Sequence, residues 1–517
     1  MSADGFWKIT YTPPGTLDPA QRARNWDQVV VALTGKEAQV QATRCMSCGS
    51  PGCNTGCPLG QDIPAYQAAV TRGDMYGAHN IAFHRGGGQY SFLYWQLGTV
   101  CPQLERLCES SCTVGHINLL GAPKGTKVTN TVVIGGTEAA IGEEAIKNGW
   151  LKYPKPLKYT GKRVAIIGTG PGGVYHGMTL NALGHEAHFF EANDQVGGLL
   201  QRGLPDFKLS KKDFPLIRRL MKRAGALITT KSRIGKRGEF TIKGNVIQRL
   251  WQKWTKKRGH NLSIDDLLNK YDMVTFAGGT YSERGILHPD THQPILGSDL
   301  AITGLSFLFP YNDHVASGNP DLPAHLDQTG KDIIVIGGGD TGFDVVRTAF
   351  RAGAQSVTVI LRGIEFRGAE KERAFATAEV AALAGQGIHL ESELQVNPIE
   401  IKRRASGKFA LTLRNGTNGG EQVIEGDVIV GSTGFEKPDI GKIFGINDLT
   451  VHADGTTSDP RLFVVGDALN GASLAVHAAA HGRHRAFMVH SKLEEQPASQ
   501  RPNLLVRAAR RAVGFVL

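Results

Sequence analysis

Short apolar, β-branched runs recur along this chain, and two of them lead straight into glycine-spaced turns. Residues 163–167 ("RVAII") read as a parallel strand buried on both faces. Gly168, Gly170 and Gly173 follow at once in the spacing G-x-G-x-x-G. A helix is expected from there to about Gly184, then a second strand ending at Glu191. Residues 332–336 ("DIIVI") repeat the design, with Gly337, Gly339 and Gly342, a helix, and a strand over 356–361. A further run, "RLFVV", predicts a strand ending at Gly466-Asp467 and an Ala-rich helix starting after Ser473. No run approaches the roughly 18 apolar residues of a membrane span, so no integral membrane association is expected.

The glycines of such a loop permit a tight turn, backbone approach to a pyrophosphate, and close helix–strand packing. The following helix then faces the phosphates with its free N–H groups. Glu191 stands where a carboxylate accepts from a ribose diol. In the second loop the residue at that position is Arg362, which pairs with a 2′-phosphate and favours NADPH. Arg362 also fits a surface role at a strand end. Two such loops imply two dinucleotides, one a resident flavin and the other a visiting nicotinamide. The Gly466-Asp467 pair fits the flavin's ribityl or pyrophosphate region, and a helix N-terminus beyond it can stabilise negative charge.

Composition adds one large fact. All seven cysteines lie between positions 45 and 112 of the 517 residues. Cys45, Cys48, Cys53 and Cys57 form C-x2-C-x4-C-x3-C-P, and Cys101, Cys108 and Cys112 follow. An odd, tightly clustered set does not suit a disulfide framework, and a reducing cytoplasmic setting is expected. Cysteines before Pro58 and Pro102 suit iron–sulfur ligation, in which the last cysteine of a run serves the other cluster. Two cubane clusters need eight ligands, so the eighth is a non-cysteine side chain, a water, or absent. Zinc ribbons also use paired C-x2-C, but the other spacings suit zinc poorly. The formal net charge of +11 is mostly scattered and reads as a solvated basic surface rather than a nucleic-acid site. Local basic runs stand at 253–259 and in the tail at 501–517, the latter either a docking amphipathic helix or a frayed terminus. No secretory signal is expected from "MSADGFWKITYTPPG".

With these pieces in place the chain resembles the small (beta) subunit of glutamate synthase over nearly its whole length. The landmarks are "GFWK", "RARNWDQVV", the cysteine run, "EEAIKNGW", "GLPDFKLSK", "YDMVTFAGGTYSERG", "VIGGGDTGFDVVRTAFRAGAQSVTV" and "VGDALNGASLAVHAAAHGR". The same module occurs in dihydropyrimidine dehydrogenase and related reductases. The resemblance implies an α/β protein in which an N-terminal helical double 4Fe-4S domain precedes two Rossmann-like domains, the second inserted into the first. The expected boundaries are 1–155 for the iron–sulfur domain, 156–290 with 432–495 for FAD, 291–431 for NAD(P)H, and 496–517 for the tail.

The resemblance also implies residues. Cys45, Cys48, Cys53 and Cys112 would hold one 4Fe-4S cluster, and Cys57, Cys101 and Cys108 the other, with Glu138 as its eighth ligand. FAD would meet Gly168, Gly170, Gly173, Glu191, Gly198, Leu199, Lys208, Gly466 and Asp467. NADPH or NADH would meet Gly337, Gly339, Asp340, Thr341 and Arg362, with Thr433 and Gly434 near the ring. The family often carries Arg-Arg where this chain has Arg362-Gly363. Tyr90, Phe92, Tyr94 and Trp95, in a stretch unlike the family's usual one, are either partner-facing aromatics or local core.

The expected function is electron transfer from NAD(P)H through FAD and iron–sulfur to a glutamate synthase large (alpha) subunit, or a similar acceptor protein, that makes L-glutamate from L-glutamine and 2-oxoglutarate. The alternatives are an NAD(P)H:acceptor oxidoreductase with another partner and a zinc-stabilised nucleotide-sensing protein.

Overall fold

The computed structural model describes residues 5–84, 89–101, 106–118, 130–237, 262–384 and 389–495. Pro102, the basic run at 253–259 and the tail at 496–517 lie outside the described residues.

The chain begins as a helical unit containing α1 (Gly35–Ala42), α2 (Ile63–Thr71), α3 (Met75–Phe83), α4 (Tyr94–Val100) and α5 (Ile134–Lys147). Thr34 and Glu37 close a capping box that starts α1. The approach of α4 to α5 depends on glycine. A Cβ on Gly98 would stand 3.1 Å from the Glu138 Cβ, and one on Gly142 would overlap Trp95. This crossing sets Cys101, just past α4, against the Glu138 face of α5. It also settles the aromatic stretch: Phe92, Tyr94 and Trp95 are buried, and Tyr90 packs against Phe83 at 5.4 Å. They are local core.

The first Rossmann-like unit opens with β1 (Arg163–Ile167), α6 (Pro171–Ala182), β2 (Glu186–Phe190), α7 (Phe214–Arg223), β3 (Leu227–Thr229) and β4 (Met273–Phe276). Its first strand matches the expected run, and α6 ends two residues before Gly184. The helical unit is not a separate bead. Its core is continuous with that of this unit, the Leu93 N–H donates to the Tyr175 hydroxyl on α6 at 3.3 Å, and Phe92 meets the same ring edge-on.

The chain then leaves this sheet and builds a second: β5 (Ile302–Thr303), α8 (Gly304–Ser317), β6 (Asp332–Ile336), α9 (Asp340–Arg351), β7 (Ser356–Ile360), α10 (Glu370–Leu383) and β8 (His389–Glu393). An antiparallel meander, β9 (Val396–Arg403), β10 (Phe409–Asn415) and β11 (Glu421–Gly426), follows before β12 (Val428–Gly431). The second sheet has the order β8-β7-β6-β12-β5, all parallel. The chain returns with β13 (Leu462–Val464), which lies beside β4 and completes the first sheet in the order β13-β4-β1-β2-β3. That return strand makes the second unit an insertion in the first. The last helix, α11 (Ala475–Glu495), packs along α6, where Gly172 and Gly482 let the backbones touch.

A buried ionic network ties the pieces together. Arg347 donates to Glu379 at 2.9 Å and to Glu372 at 2.6 Å, and Arg351 reaches Glu379 at 2.8 Å. Arg22, from the N-terminal segment, meets Glu379 at 3.2 Å, and the Arg351 guanidinium donates to the carbonyls of Arg22 and Asn25. Phe207 of the first unit lies under both Arg347 and Arg351, at 4.4 and 4.1 Å from the guanidinium carbons. Replacing Arg347 by Met leaves the buried Glu379 and the half-buried Glu372 carboxylates short of a partner. The expected loss is about 3–5 kcal/mol of unfolding free energy, read from denaturant unfolding of the cofactor-loaded protein. A loss under about 1 kcal/mol, the size of an exposed pair, would show that the network does not depend on Arg347.

Candidate redox and nucleotide sites

The two cysteine runs meet because one short helix is glycine-lined. The helix Gly52–Gly56 lies against Leu107–Ser110, and a Cβ on Gly52 or Gly56 would strike the Ser111 carbonyl or hydroxyl. This brings Cys53 and Cys57 to Cys112 and Cys108. Cys45, Cys48, Cys53 and Cys112 line one cavity, with Ile63, Val114, Val132 and Ile134 as apolar wall. Cys57, Cys101, Cys108 and Glu138 line a second. The grouping is the one the resemblance implies. The Cys57 N–H donates to the Cys53 carbonyl at 3.0 Å, so the two cavities are one helical turn apart.

The donor chemistry fits metal centres. All seven cysteines are free thiols. Burial pushes Cys45 up to about 11, and Cys53 and Cys101 up to about 12. Thiolates are the metal-binding form, so these sites hold charge only when a cationic core compensates it. Glu138 is likewise pushed up by burial, to about 7, and accepts from Gln61 Nε2 at 3.3 Å. Four donors in each pocket match the four ligands of a 4Fe-4S cluster.

Sequence reading missed Arg106. It is a buried cation in the wall of the second cavity, donating to the carbonyls of Gly98 (2.7 Å) and Cys101 (3.2 Å) and pairing with Glu109 at 3.2 Å. Glu109 in turn accepts from the Gly135 N–H at 2.9 Å. A lone Arg in "LERLCES" carries no signal of this. Only the fold sets it beside the thiols.

At the first glycine loop, Gly168 has φ +104°, and a Cβ there would stand 2.5 Å from the Ala277 carbonyl. Gly198, at φ +57°, approaches Gly170 so closely that a Cβ would be 2.7 Å from its Cα, and Leu199 begins the short helix beyond it. Gly466 faces Gly172 in α6, and Asp467 follows at the start of the next turn. The loop thus brings Gly168, Gly170, Gly173, Gly198, Leu199, Gly466 and Asp467 around the N-terminus of α6. Glu191 is at the expected place, but its carboxylate already accepts from Thr169 (N–H 3.1 Å, hydroxyl 2.5 Å) and from Asn193 (N–H 2.9 Å, Nδ2 3.0 Å). Thr169, also unforeseen, fixes that carboxylate to the loop. Lys208 pairs with the second unit. Its ammonium is 2.9 Å from Asp344 and 3.8 Å from Glu372, both in the second unit, and these carboxylates hold it charged despite burial.

The second loop repeats the construction. Gly337 has φ +117°, a Cβ there would overlap the Ser432 carbonyl, and a Cβ on Gly342 would overlap the Gly337 carbonyl. Gly339 caps α9, which begins Asp340-Thr341. Asp340 accepts from the Ala369 N–H at 2.8 Å, and Arg367 and Gly368 donate backbone N–H groups to the Gly338 carbonyl. The segment 362–369 therefore folds over the loop. Arg362 is exposed at its start. Thr433 and Gly434 follow β12 at the crossover between units, where the Thr433 hydroxyl donates to the Arg284 carbonyl at 2.5 Å. They adjoin the loop through Ser432.

One further relation links the sites. Leu474 and Val476, at the start of α11, form part of the wall of the Glu138 cavity. Gly466, eight residues before Leu474, touches the first glycine loop through Gly172. Arg483 clamps the same helix by donating to the Leu59 carbonyl at 2.7 Å. One short segment thus spans the distance from the first dinucleotide loop to a four-donor metal pocket.

Residues 22–150 match the family model described as dihydropyrimidine dehydrogenase domain II, 4Fe-4S cluster. Residues 162–482 match the pyridine nucleotide-disulphide oxidoreductase model. The glutamate synthase [NADPH] small chain of Escherichia coli is 30% identical over 89% of this chain and 92% of its own length. That of Azospirillum brasilense is 27% identical over 94% and 95%. A putative oxidoreductase, AegA, of E. coli is 28% identical over 92% of this chain and 68% of its own. The 4Fe-4S match sets aside the zinc-stabilised alternative.

Proposed function

This chain belongs to the family of glutamate synthase small chains, and from that premise we propose that it delivers electrons from NADPH to a large subunit that forms L-glutamate from L-glutamine and 2-oxoglutarate. Its coarser character, an NAD(P)H-dependent iron–sulfur oxidoreductase with FAD, follows from both family models. The observation that carries the electron-transfer route is the segment 466–476, which touches the first glycine loop at one end and the Glu138 cavity at the other. When bound, FAD would supply hydride acceptance from a reduced nicotinamide, and iron–sulfur centres would supply single-electron transfer.

In this reading the chain's own residues position and insulate. Gly168, Gly170, Gly173 and Gly198 let backbone reach the flavin pyrophosphate. Asp467, fixed by the Ser473 hydroxyl at 2.8 Å, holds the turn that leads into α11. Gly337, Gly339, Asp340 and Thr341 present the start of α9 to the nicotinamide coenzyme, and Arg362 pairs with its 2′-phosphate. Cys45, Cys48, Cys53 and Cys112 hold one cluster; Cys57, Cys101, Cys108 and Glu138 hold the other. Ile63, Val114, Val132 and Ile134 line the first cavity with apolar surface that excludes water.

The similarity to a putative oxidoreductase that is not a glutamate synthase by name supports a second reading, the same reductase with another protein acceptor. Anaerobic titration with NADPH and NADH, followed by flavin absorbance, tests the coenzyme step. Adding a glutamate synthase large subunit, with glutamine and 2-oxoglutarate, tests the acceptor. Flavin bleaching without glutamate formation would select the second reading; no bleaching by either coenzyme would overturn both.

Arg362→Gln should separate the coenzymes. A charge-assisted bond to phosphate contributes about 1.5–3 kcal/mol, so the KM for NADPH should rise roughly ten-fold to a hundred-fold, with NADH unchanged. Equal effects on both would assign Arg362 to the surface instead.

A further inference from the structure

Outside both dinucleotide loops and both cysteine cavities, the described residues hold one group of nitrogen and carboxylate donors that converge on a point. It lies at the opposite end of the first sheet from the glycine loop. His185 immediately precedes β2, and His490 and Glu494 are one turn apart near the end of α11. Their nearest ligand atoms all lie within 4.8 Å of one another. We propose that His185, His490 and Glu494 form a binding site for a zinc-class divalent cation that fastens the end of α11 to the edge of the first sheet.

The hydrogen bonds around His185 accommodate a metal-binding tautomer. The Thr160 hydroxyl sits 3.3 Å from the Gly184 carbonyl, accepts from the Lys162 N–H at 3.2 Å, and stands 2.8 Å from His185 Nδ1. With the hydroxyl donating to Gly184 and Nδ1 donating to Thr160, Nε2 turns a lone pair toward His490 Nδ1, 2.9 Å away. A ring held by one N–H, with the other nitrogen free to coordinate, is the arrangement found around metal-bound histidines.

Burial supports this: His185 is fully buried, so its ring is held in this orientation.

The metal class follows from the donors. Two imidazoles and one carboxylate suit zinc, with a water as the fourth ligand, better than calcium or magnesium, which take oxygen. Zinc-bound nitrogens at 2.0–2.1 Å in a tetrahedron lie about 3.3 Å apart. The imidazoles need to open by only a few tenths of an ångström, and His490, half-buried on a helix surface, can turn that far.

The rival occupant of this geometry is a simple His490-to-His185 hydrogen bond. Zinc titration of the full-length protein, with flavin and iron loaded and a chromophoric chelator as competitor, decides between them. The cysteine sites are common to all variants, so the comparison isolates the histidine site. Wild type should take up one Zn²⁺ beyond that held by His490→Gln, and its melting temperature should rise with Zn²⁺. Glu494→Gln, at an exposed position, keeps the fold and should weaken that site roughly ten-fold or more. Thr160→Val, which frees the His185 ring, should weaken it roughly 10–100-fold. Equal flavin content shows that each variant is folded. If wild type, His490→Gln and Glu494→Gln bind Zn²⁺ alike, or wild type binds none, the pair is a hydrogen bond only and the proposal is overturned.

Discussion

Cys53→Ser should cost this protein one iron–sulfur centre while leaving its flavin in place. Iron and acid-labile sulfide should fall by about half, as expected when one of two four-iron centres is lost. Reduction of the flavin by NADPH should persist, and electron delivery to a protein acceptor should fall to background. The reasoning rests on the shape of the pocket. Cys53 is a buried donor on the helix that lies between the two cavities, and Gly52 and Gly56 on either side are pressed against residues 107–111. A serine hydroxyl fills the space but is a poor ligand for iron. The other three thiols, two of them buried, are left without a complete donor set. Glu138→Gln is the paired test in the second cavity, where the carboxylate is one of four donors. A change in the electron paramagnetic resonance of one centre only, with the other intact, is expected. Unchanged iron content and spectra in both variants would remove these residues from the ligand sets.

Gly342→Ala should nearly abolish reduction by the nicotinamide coenzyme while sparing iron and flavin content. The added Cβ would overlap the Gly337 carbonyl, which is backbone, and Gly337 is itself held by its N–H donating to the Ile360 carbonyl. Neither partner can give way, so α9 must move off β6. A displacement of about 1 Å in a coenzyme-positioning element costs roughly 100-fold in rate. Stopped-flow bleaching of flavin should slow by that factor, with dithionite still reducing flavin and clusters normally. Gly173→Ala places the same overlap, now with the Gly168 carbonyl, in the first loop, and there the expected loss is FAD itself. If Gly342→Ala loses flavin and keeps coenzyme binding, the assignment of the two loops is reversed.

The contrast between these sites shows where sequence reading works. The glycine loops are local. Strand, turn and helix are contiguous, and the glycines at 168 and 337 are required by positive φ and by a neighbouring carbonyl. Such requirements leave a mark on residue type, so both loops, and the pairing of Gly466 with Asp467, were legible. The cysteine count was equally legible, because seven thiols within one short stretch have few other uses.

What joins those pieces was not legible. The seven thiols and Glu138 sort into two groups of four only because Gly52 and Gly56 admit residues 107–111, and because Gly98 admits α5. Arg106 gained its place beside the second pocket the same way. The resemblance places Lys208 at the flavin, and only the fold shows its pairing with Asp344 and Glu372 across the unit boundary. The aromatic stretch at 90–95 read equally as surface or core until the α4–α5 crossing buried it.

By itself, then, the sequence determined the two dinucleotide folds, their order and the metal chemistry, since each rests on neighbours along the chain. Tertiary structure alone decided which thiols share a pocket, which cation sits beside them, and that residues 466–476 run from one dinucleotide loop to the Glu138 cavity. Those are contacts between distant segments. They depend on how closely backbones can approach, a quantity that no single stretch of sequence encodes.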